Sequence, residues 1–101
     1  MSKFIEAARV DQIPPGAGTT VNVAGKDVAI FNVAGEVYAI GDSCPHAGAS
    51  LGAGKLSGRI VTCRAHGLRY DVTTGQVTTG GFGVASYPVQ VVDGKILIAV
   101  E

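Results

Sequence analysis

Apolar side chains recur at every second position of this chain, in short bursts cut by glycine-containing dipeptides. Val21 and Val23 precede Ala24-Gly25, Val28 and Ile30 follow it, and the run Val37 to Ile40 follows Ala34-Gly35. Alternation over so few residues predicts half-buried strands, and the dipeptides predict tight turns between them. At the other end Val89 and Val91, then Ile96, Ile98 and Val100, alternate around Asp93-Gly94. Both central positions of that turn tolerate positive φ, which is what a two-residue hairpin requires. Antiparallel strands therefore frame the chain at both ends.

Between these frames the period is lost. Residues 41 to 58 scatter Gly41, Gly48, Gly52, Gly54 and Gly58 among small residues, and neither a helical nor a strand repeat survives there. A strand-like run, Arg59-Ile60-Val61-Thr62, leads into Cys63, and Leu68 to Val72 leads away from it to a turn at Thr74-Gly75. Residues 79 to 87 form another glycine-rich stretch predicted to be a loop. Long loops in a small domain are uncommon unless they carry a site. The functional residues are thus expected between 41 and 87.

Composition narrows the fold. The 101 residues include 14 Val, 7 Ile and 7 Thr against only 4 Leu and 1 Met. Side chains branched at Cβ are stiff at χ1 and suit a pleated surface better than a helix. A helical bundle is disfavoured and a single all-β domain expected. Eight basic residues balance eight acidic ones, so no global basic field draws nucleic acid. The opening Met-Ser-Lys-Phe-Ile-Glu lacks the apolar run of a signal peptide, and no window approaches the roughly 18 apolar residues of a membrane span. A soluble, cytoplasmic protein with no membrane partner is expected.

Both cysteines and both histidines fall inside the irregular region, as Cys44-Pro45-His46 and Cys63-Arg64-Ala65-His66, with 16 residues between the pairs. Thiolate and imidazole are ligands for soft and borderline transition metals, and two of each make a complete set. Because each pair follows a strand-like run, two loops can close on one metal centre like jaws. Zinc also accepts two cysteines and two histidines, although its usual spacing begins C-x(2-4)-C and ends H-x(3-5)-H, unlike this chain. A metal-stabilised interaction module therefore stays open as an alternative. So do a Cys44–Cys63 disulfide, which leaves both histidines unexplained, and a Cys-His nucleophilic site, which needs no duplicated motif.

The order C-x-H, 16 residues, C-x-x-H resembles that of Rieske iron–sulfur proteins. The likeness extends through Ser43 to Leu51, Gly54-Lys55-Leu56, Gly58, Val61 to Gly67, Tyr70-Asp71 and Thr74-Gly75. Ile13-Pro14-Pro15-Gly16 and Tyr87-Pro88-Val89 with Asp93-Gly94 fit the same soluble Rieske ferredoxins, so nearly the whole chain is covered. The resemblance implies a Rieske fold, with an antiparallel β-sandwich or barrel base (1–40 and 87–101) and a small β-rich cluster-binding subdomain of glycine-rich loops (about 41–86). It also implies one [2Fe-2S] cluster, with Cys44 and Cys63 on one iron and His46 and His66 on the other. Two ferric ions, two sulfides and two thiolates sum to zero charge, so an added electron takes such a cluster only to minus one. An all-cysteine cluster goes from minus two to minus three, which is harder electrostatically; neutral imidazoles thus raise the potential.

Within the family, respiratory Rieske proteins carry a membrane anchor and an extra cysteine in each cluster loop; here those positions are Ala49 and Ala65. Oxygenase large subunits add a mononuclear iron held by two histidines and a carboxylate, and both histidines here are already used. The resemblance therefore implies a carrier without a substrate site of its own. It would pass single electrons from an NAD(P)H-dependent flavin reductase to a terminal oxygenase, as do the ferredoxins of aromatic-ring hydroxylating dioxygenases, and is expected to be monomeric. The small subunit of an assimilatory nitrite reductase is the alternative within the family. Pro45, Leu51, Leu68 and Phe82 are expected to exclude water, and Gly80-Gly81-Phe82-Gly83 stands where relatives usually place a proline in a covering loop. Residues 43 to 70 hold Lys55, Arg59, Arg64 and Arg69 and no acid; they read first as solvated loop residues, and alternatively as a rim of the cluster tip that steers toward an acidic partner.

Hydrogen bonds to cluster sulfur stabilise the more negative, reduced form. High-potential Rieske proteins donate from a serine two residues after the second histidine ligand and from a tyrosine two further on; this chain has Leu68 and Tyr70. With one donor missing, a redox titration is expected to give a midpoint below zero, in the lower part of the roughly −150 to +300 mV Rieske range. Tyr70→Phe should lower it further. A midpoint above zero, or one unmoved by Tyr70→Phe, would contradict this reading.

Overall fold

The computed structural model describes residues 3–43, 50–64 and 67–99. Ten strands run in the order β1 (Phe4–Arg9), β2 (Gly18–Val23), β3 (Lys26–Val33), β4 (Glu36–Gly41), β5 (Lys55–Ser57), β6 (Ile60–Thr62), β7 (Arg69–Asp71), β8 (Ser86–Tyr87), β9 (Val89–Val92) and β10 (Lys95–Ala99). Among the described residues one 3-10 turn, Val10–Gln12, interrupts them, and no described helix is long and apolar enough to cross a membrane. The expected all-β class is what the chain adopts. Every strand pairing is antiparallel, in three sheets ordered β1-β10-β9, β2-β3-β4-β8 and β5-β6-β7.

Side-chain alternation in β3 divides the interior in two. Val28 and Ile30 face one way and join Ile13, Val23, Ala39, Ile96 and Ile98 in a core shared with the β1-β10-β9 sheet. Ala29 and Phe31 face the other way, with Ile40, Leu51, Val61, Cys63, Tyr70, Val72 and Val77. The four-stranded sheet is therefore covered on both faces, by the terminal sheet on one and by the small β5-β6-β7 sheet with its loops on the other. This explains why Val28 to Phe31 is apolar without a break, as a strand buried on both faces must be. Asn32, also buried, turns its polarity to use: its Nδ2 donates to Ile13 O at 2.8 Å and its Oδ1 accepts from Gly35 N at 2.8 Å.

Two expectations need correction. Lys55–Ser57 is a strand, although 41 to 58 read as irregular; three residues are too few for a period to be seen, and pairing with β6 supplies the order. Ser86–Tyr87 likewise leaves the 79–87 loop to pair with Ala39 and Ile40 of β4.

The three predicted hairpins turn on residue pairs with both φ positive: Ala24 and Gly25 (51° and 85°), Ala34 and Gly35 (52° and 98°), Asp93 and Gly94 (51° and 76°). That is type I′ geometry, whose twist matches that of the strands. Glycine enters it freely, but alanine pays a Cβ clash that asparagine partly relieves by local hydrogen bonding. Ala34→Asn is therefore expected to stabilise the protein by about 0.5–1 kcal/mol, seen as a higher thermal midpoint by circular dichroism. Ala34→Val should lower the midpoint, and an unchanged value for both would show that the turn is unstrained.

Candidate metal centre

Three loops converge on the side of the four-stranded sheet that faces away from the termini. The first joins β4 to β5, the second joins β6 to β7, and the third returns from β7 to β8. Of the residues expected to bind or shield a metal, Leu51, Cys63, Leu68, Tyr70 and Phe82 are described; Cys44, Pro45, His46 and His66 lie outside the described residues.

The first loop is closed at its base by one carboxylate. Asp42, 6% exposed, accepts at Oδ1 from Thr20 Oγ1 (2.8 Å), Ser50 Oγ (3.0 Å) and the backbone N–H of Gly52 (2.8 Å). Its own carbonyl accepts from Leu51 N at 2.7 Å, and its N–H donates to Asp27 O at 3.2 Å. Ser43 and Ser50 form an isolated bridge just beyond. Ser43 and Ser50 are therefore held together at one fixed point, tied through Thr20 to β2. Gly52 makes the tie possible: a Cβ there would lie 2.8 Å from Thr19 O and collide with the Thr20 hydroxyl. Leu51, fully buried, then plugs into the same apolar cluster as Cys63.

The second loop is shorter and self-contained. Cys63 N donates to Leu68 O at 2.7 Å, and Gly67 N donates to Cys63 O at 3.0 Å. Both peptide groups of Cys63 are thus occupied, which fixes where its side chain leaves the backbone. Cys63 is a free cysteine, 1% exposed, packed in the cluster that includes Leu51, Val61 and Tyr70, with Leu68 and Phe82 against it. Reactive nucleophilic cysteines sit partly exposed in electropositive surroundings; this one is shielded and, among the described residues, packs in an apolar cluster. Such a thiol suits a sulfur ligand in a dry pocket, and the frame of both loops fits a buried metal cluster.

The third loop covers the site without a proline. Val77 pairs back to Tyr70, Thr78 N donates to Arg69 O at 2.8 Å, and Val77 N donates to Phe82 O at 3.0 Å. Phe82 meets Tyr70 edge to face, with centroids 6.4 Å apart and planes at 78°, a favourable aromatic geometry. The covering loop is thus fixed by backbone pairing to β7 and by one ring contact. Tyr70 itself is fully buried on β7, beneath this cover.

Asp42 is the residue that sequence reasoning missed. Its signal was its place as the last acid before a stretch that is wholly basic, immediately ahead of the first Cys-His pair. The charge reading is also sharpened. Arg59 forms an ion pair with Asp71 at 3.2 Å, so it is not a free member of the positive segment; Lys55, Arg64 and Arg69 have no ion-pair partner among the described residues.

Comparison with known proteins agrees with this geometry. The family model for the Rieske [2Fe-2S] domain matches residues 3–88. The chain is 36% identical, over 97% of its length and 96% of the relative's, to the ferredoxin component of the naphthalene 1,2-dioxygenase/salicylate 5-hydroxylase systems of Ralstonia sp. Among solved structures it superposes on the ferredoxin of carbazole 1,9a-dioxygenase from Nocardioides aromaticivorans IC177 with a TM-score of 0.92 and 34% identity, covering 99% of this chain and 100% of that one. It also superposes on a chain from a complex of reduced oxygenase and oxidised ferredoxin in carbazole 1,9a-dioxygenase (TM-score 0.87, 27% identity, 98% and 94% coverage). A putative NADH-dependent nitrite reductase small subunit from Mycobacterium tuberculosis follows with TM-score 0.90, 26% identity and 100% and 97% coverage.

Removing the Asp42 carboxylate strands the buried Gly52 N–H, a loss of about 1–3 kcal/mol, and frees both ends of the first loop. Asp42→Ala is expected to bleach the visible absorption of the purified protein several-fold faster on mild heating, with Asp42→Asn intermediate because one carbonyl oxygen remains. Equal bleaching rates for all three proteins would remove Asp42 from this role.

Proposed function

We propose that this chain, which belongs to the Rieske [2Fe-2S] family, is the ferredoxin of a multicomponent oxygenase, carrying single electrons from a flavin reductase to a terminal oxygenase. The observation that carries the reading is the shielded frame around Cys63, built on a fold that a dioxygenase ferredoxin shares over 99% of this chain. The family's [2Fe-2S] cluster supplies reversible one-electron chemistry when bound. In our reading Cys44 and Cys63 hold one iron and His46 and His66 the other. Residues 41–86 are the cluster-binding part, and 1–40 with 87–101 are its base, in one domain.

The chain's own residues explain the rest of that role. Leu51, Leu68 and Phe82 keep water from the Cys63 side of the site, which lowers the local dielectric and makes the site's charge sensitive to each nearby dipole. The backbone ties at Asp42 and Cys63 hold both loops in one arrangement, so the frame need not rebuild as charge comes and goes. We read the protein as an electron-transfer component and not an enzyme, monomeric and cytoplasmic. Higher identity to dioxygenase ferredoxins than to the nitrite reductase subunit favours the first over the second.

Iron and acid-labile sulfide analysis should give about two of each per chain, from the formula of the Rieske cluster. EPR of the dithionite-reduced protein should show the rhombic signal of a histidine-ligated cluster. Cys63→Ser should abolish that signal. A colourless protein containing zinc and no sulfide, or a signal of the all-cysteine type, would overturn the proposal.

A further inference from the structure

We infer that the outer face of the small β5-β6-β7 sheet is a docking site for an acidic segment of a protein partner. The register places Lys55 opposite Thr62, and Thr62 opposite Arg69. Residues directly opposite in a sheet share a face, and neighbouring strands lie about 4.8 Å apart. Two exposed cations thus stand roughly 10 Å apart on one rung, with a threonine hydroxyl between them. The inner face of the same sheet holds Leu56, Val61 and Tyr70, packed toward the metal centre, so the outward rung is the only polar face that these strands have.

The rung is also a groove. Lys55, Ser57, Ile60, Thr62 and Arg69 line a depression of about 390 Å³. On the far side of Arg69 a second depression, about 350 Å³, runs past Gly67 and Leu68 to Val77, Thr78 and Thr79. Arg69 therefore stands between a groove on the sheet and one at the mouth of the second loop. An extended segment lying across both would pass beside the loop that holds Cys63.

Charge selects the occupant. Residues 43–70 contain four cations and no acid, while the remainder of the chain carries net charge −4. The nearest acid on this face, Asp71, is taken by Arg59 at 3.2 Å. Neither Lys55 nor Arg69 has an ion-pair partner among the described residues, so a carboxylate arriving between them displaces no existing bridge. Two side-by-side cations with a hydroxyl donor match a run of Asp or Glu side chains better than an apolar ligand. The rung is the last of the sheet before the second loop, since Thr62 precedes Cys63 and Arg69 follows Leu68, which close that loop at its base, so docking here sets the partner beside Cys63. This inference rests on the carrier reading for the identity of its partner, but its binding chemistry does not.

The test uses the cluster-loaded protein and a fluorescein-labelled decaglutamate peptide, titrated by anisotropy at low ionic strength. The wild-type protein should bind it, with affinity falling steeply as salt is added. Lys55→Glu with Arg69→Glu should weaken binding at least tenfold while the visible and EPR spectra stay unchanged. Lys3→Glu with Lys95→Glu carries the same change in net charge on the terminal sheet, and should alter affinity less than twofold. Should the first pair lose its cluster, Lys55→Gln and Arg69→Gln singly replace it, each expected to weaken binding about threefold. Equal weakening by both reversed pairs, or no salt-sensitive binding by the wild type, would overturn the docking site. A protein with the rhombic EPR signal but no peptide binding sinks this inference alone and leaves the carrier reading standing.

Discussion

The constraint on which the molecule depends is that β3 and β4 must be buried on both faces. Val28, Ile30 and Ala39 serve one core, and Ala29, Phe31 and Ile40 serve another, in strict alternation along neighbouring strands. A sheet with two apolar faces is unstable in water until both are covered. The terminal hairpin and β1 cover one, through Ile96 and Ile98. The other is covered by the loop residues Leu51, Cys63 and Val77 together with Val61 and Tyr70 of the small sheet. The metal-binding part is thus no appendage: its side chains complete the burial of the central sheet. Any motion of the loops would expose Phe31 and Ile40, and the cost of that exposure, on the order of 1.5–3 kcal/mol per large side chain, resists it.

Polar contacts then specify what burial alone leaves loose. Hydrophobic packing is non-directional and would tolerate Leu51 and Cys63 at several offsets. Asp42 removes that freedom at the first loop, because three donors from two different elements meet at one oxygen. The second loop shows no such outside anchor among the described residues, and Cys63 and Leu68 close it at its base. The contrast follows from length: closing a longer loop costs more conformational entropy, and the longer one here is the loop with the extra tie.

How much of this was legible in the sequence differs from element to element. The hairpins at Ala24-Gly25, Ala34-Gly35 and Asp93-Gly94 were readable because their chemistry is local: alternation on each side and a glycine in each turn that takes positive φ freely. The clustering of Cys63, Leu68, Tyr70 and Phe82 was readable through a motif. Asp42 was not, because its three donors come from Thr20, Ser50 and Gly52, and no local pattern links residues 20 and 42. The short strands β5 and β8 were missed for a related reason, since two or three residues hold no period and acquire their form from the strand they pair with. The pairing of Arg59 with Asp71 was hidden by drawing the positive segment to end at residue 70, one position short of its counter-charge.

That last detail changes what the neutral net charge means. With Arg59 paired, the cations of residues 43–70 that have no ion-pair partner among the described residues are Lys55, Arg64 and Arg69, which belong to the sheet and loop that adjoin the metal centre. The terminal strands and turns, on the other side of the four-stranded sheet, balance Glu6, Asp11 and Asp93 against Lys3, Arg9 and Lys95. A molecule with no net charge but one locally positive face is not attracted to an acidic partner as a whole at long range; it is turned by the partner's field as it approaches. Orientation is what an electron carrier needs, because the donor site occupies one end only and most random encounters present the wrong face. The same chain order that places the loops between two framing hairpins also gathers these cations, since residues 43–70 hold four basic residues and no acid. The fold therefore supplies a buried site and a means of presenting it, from one arrangement of strands.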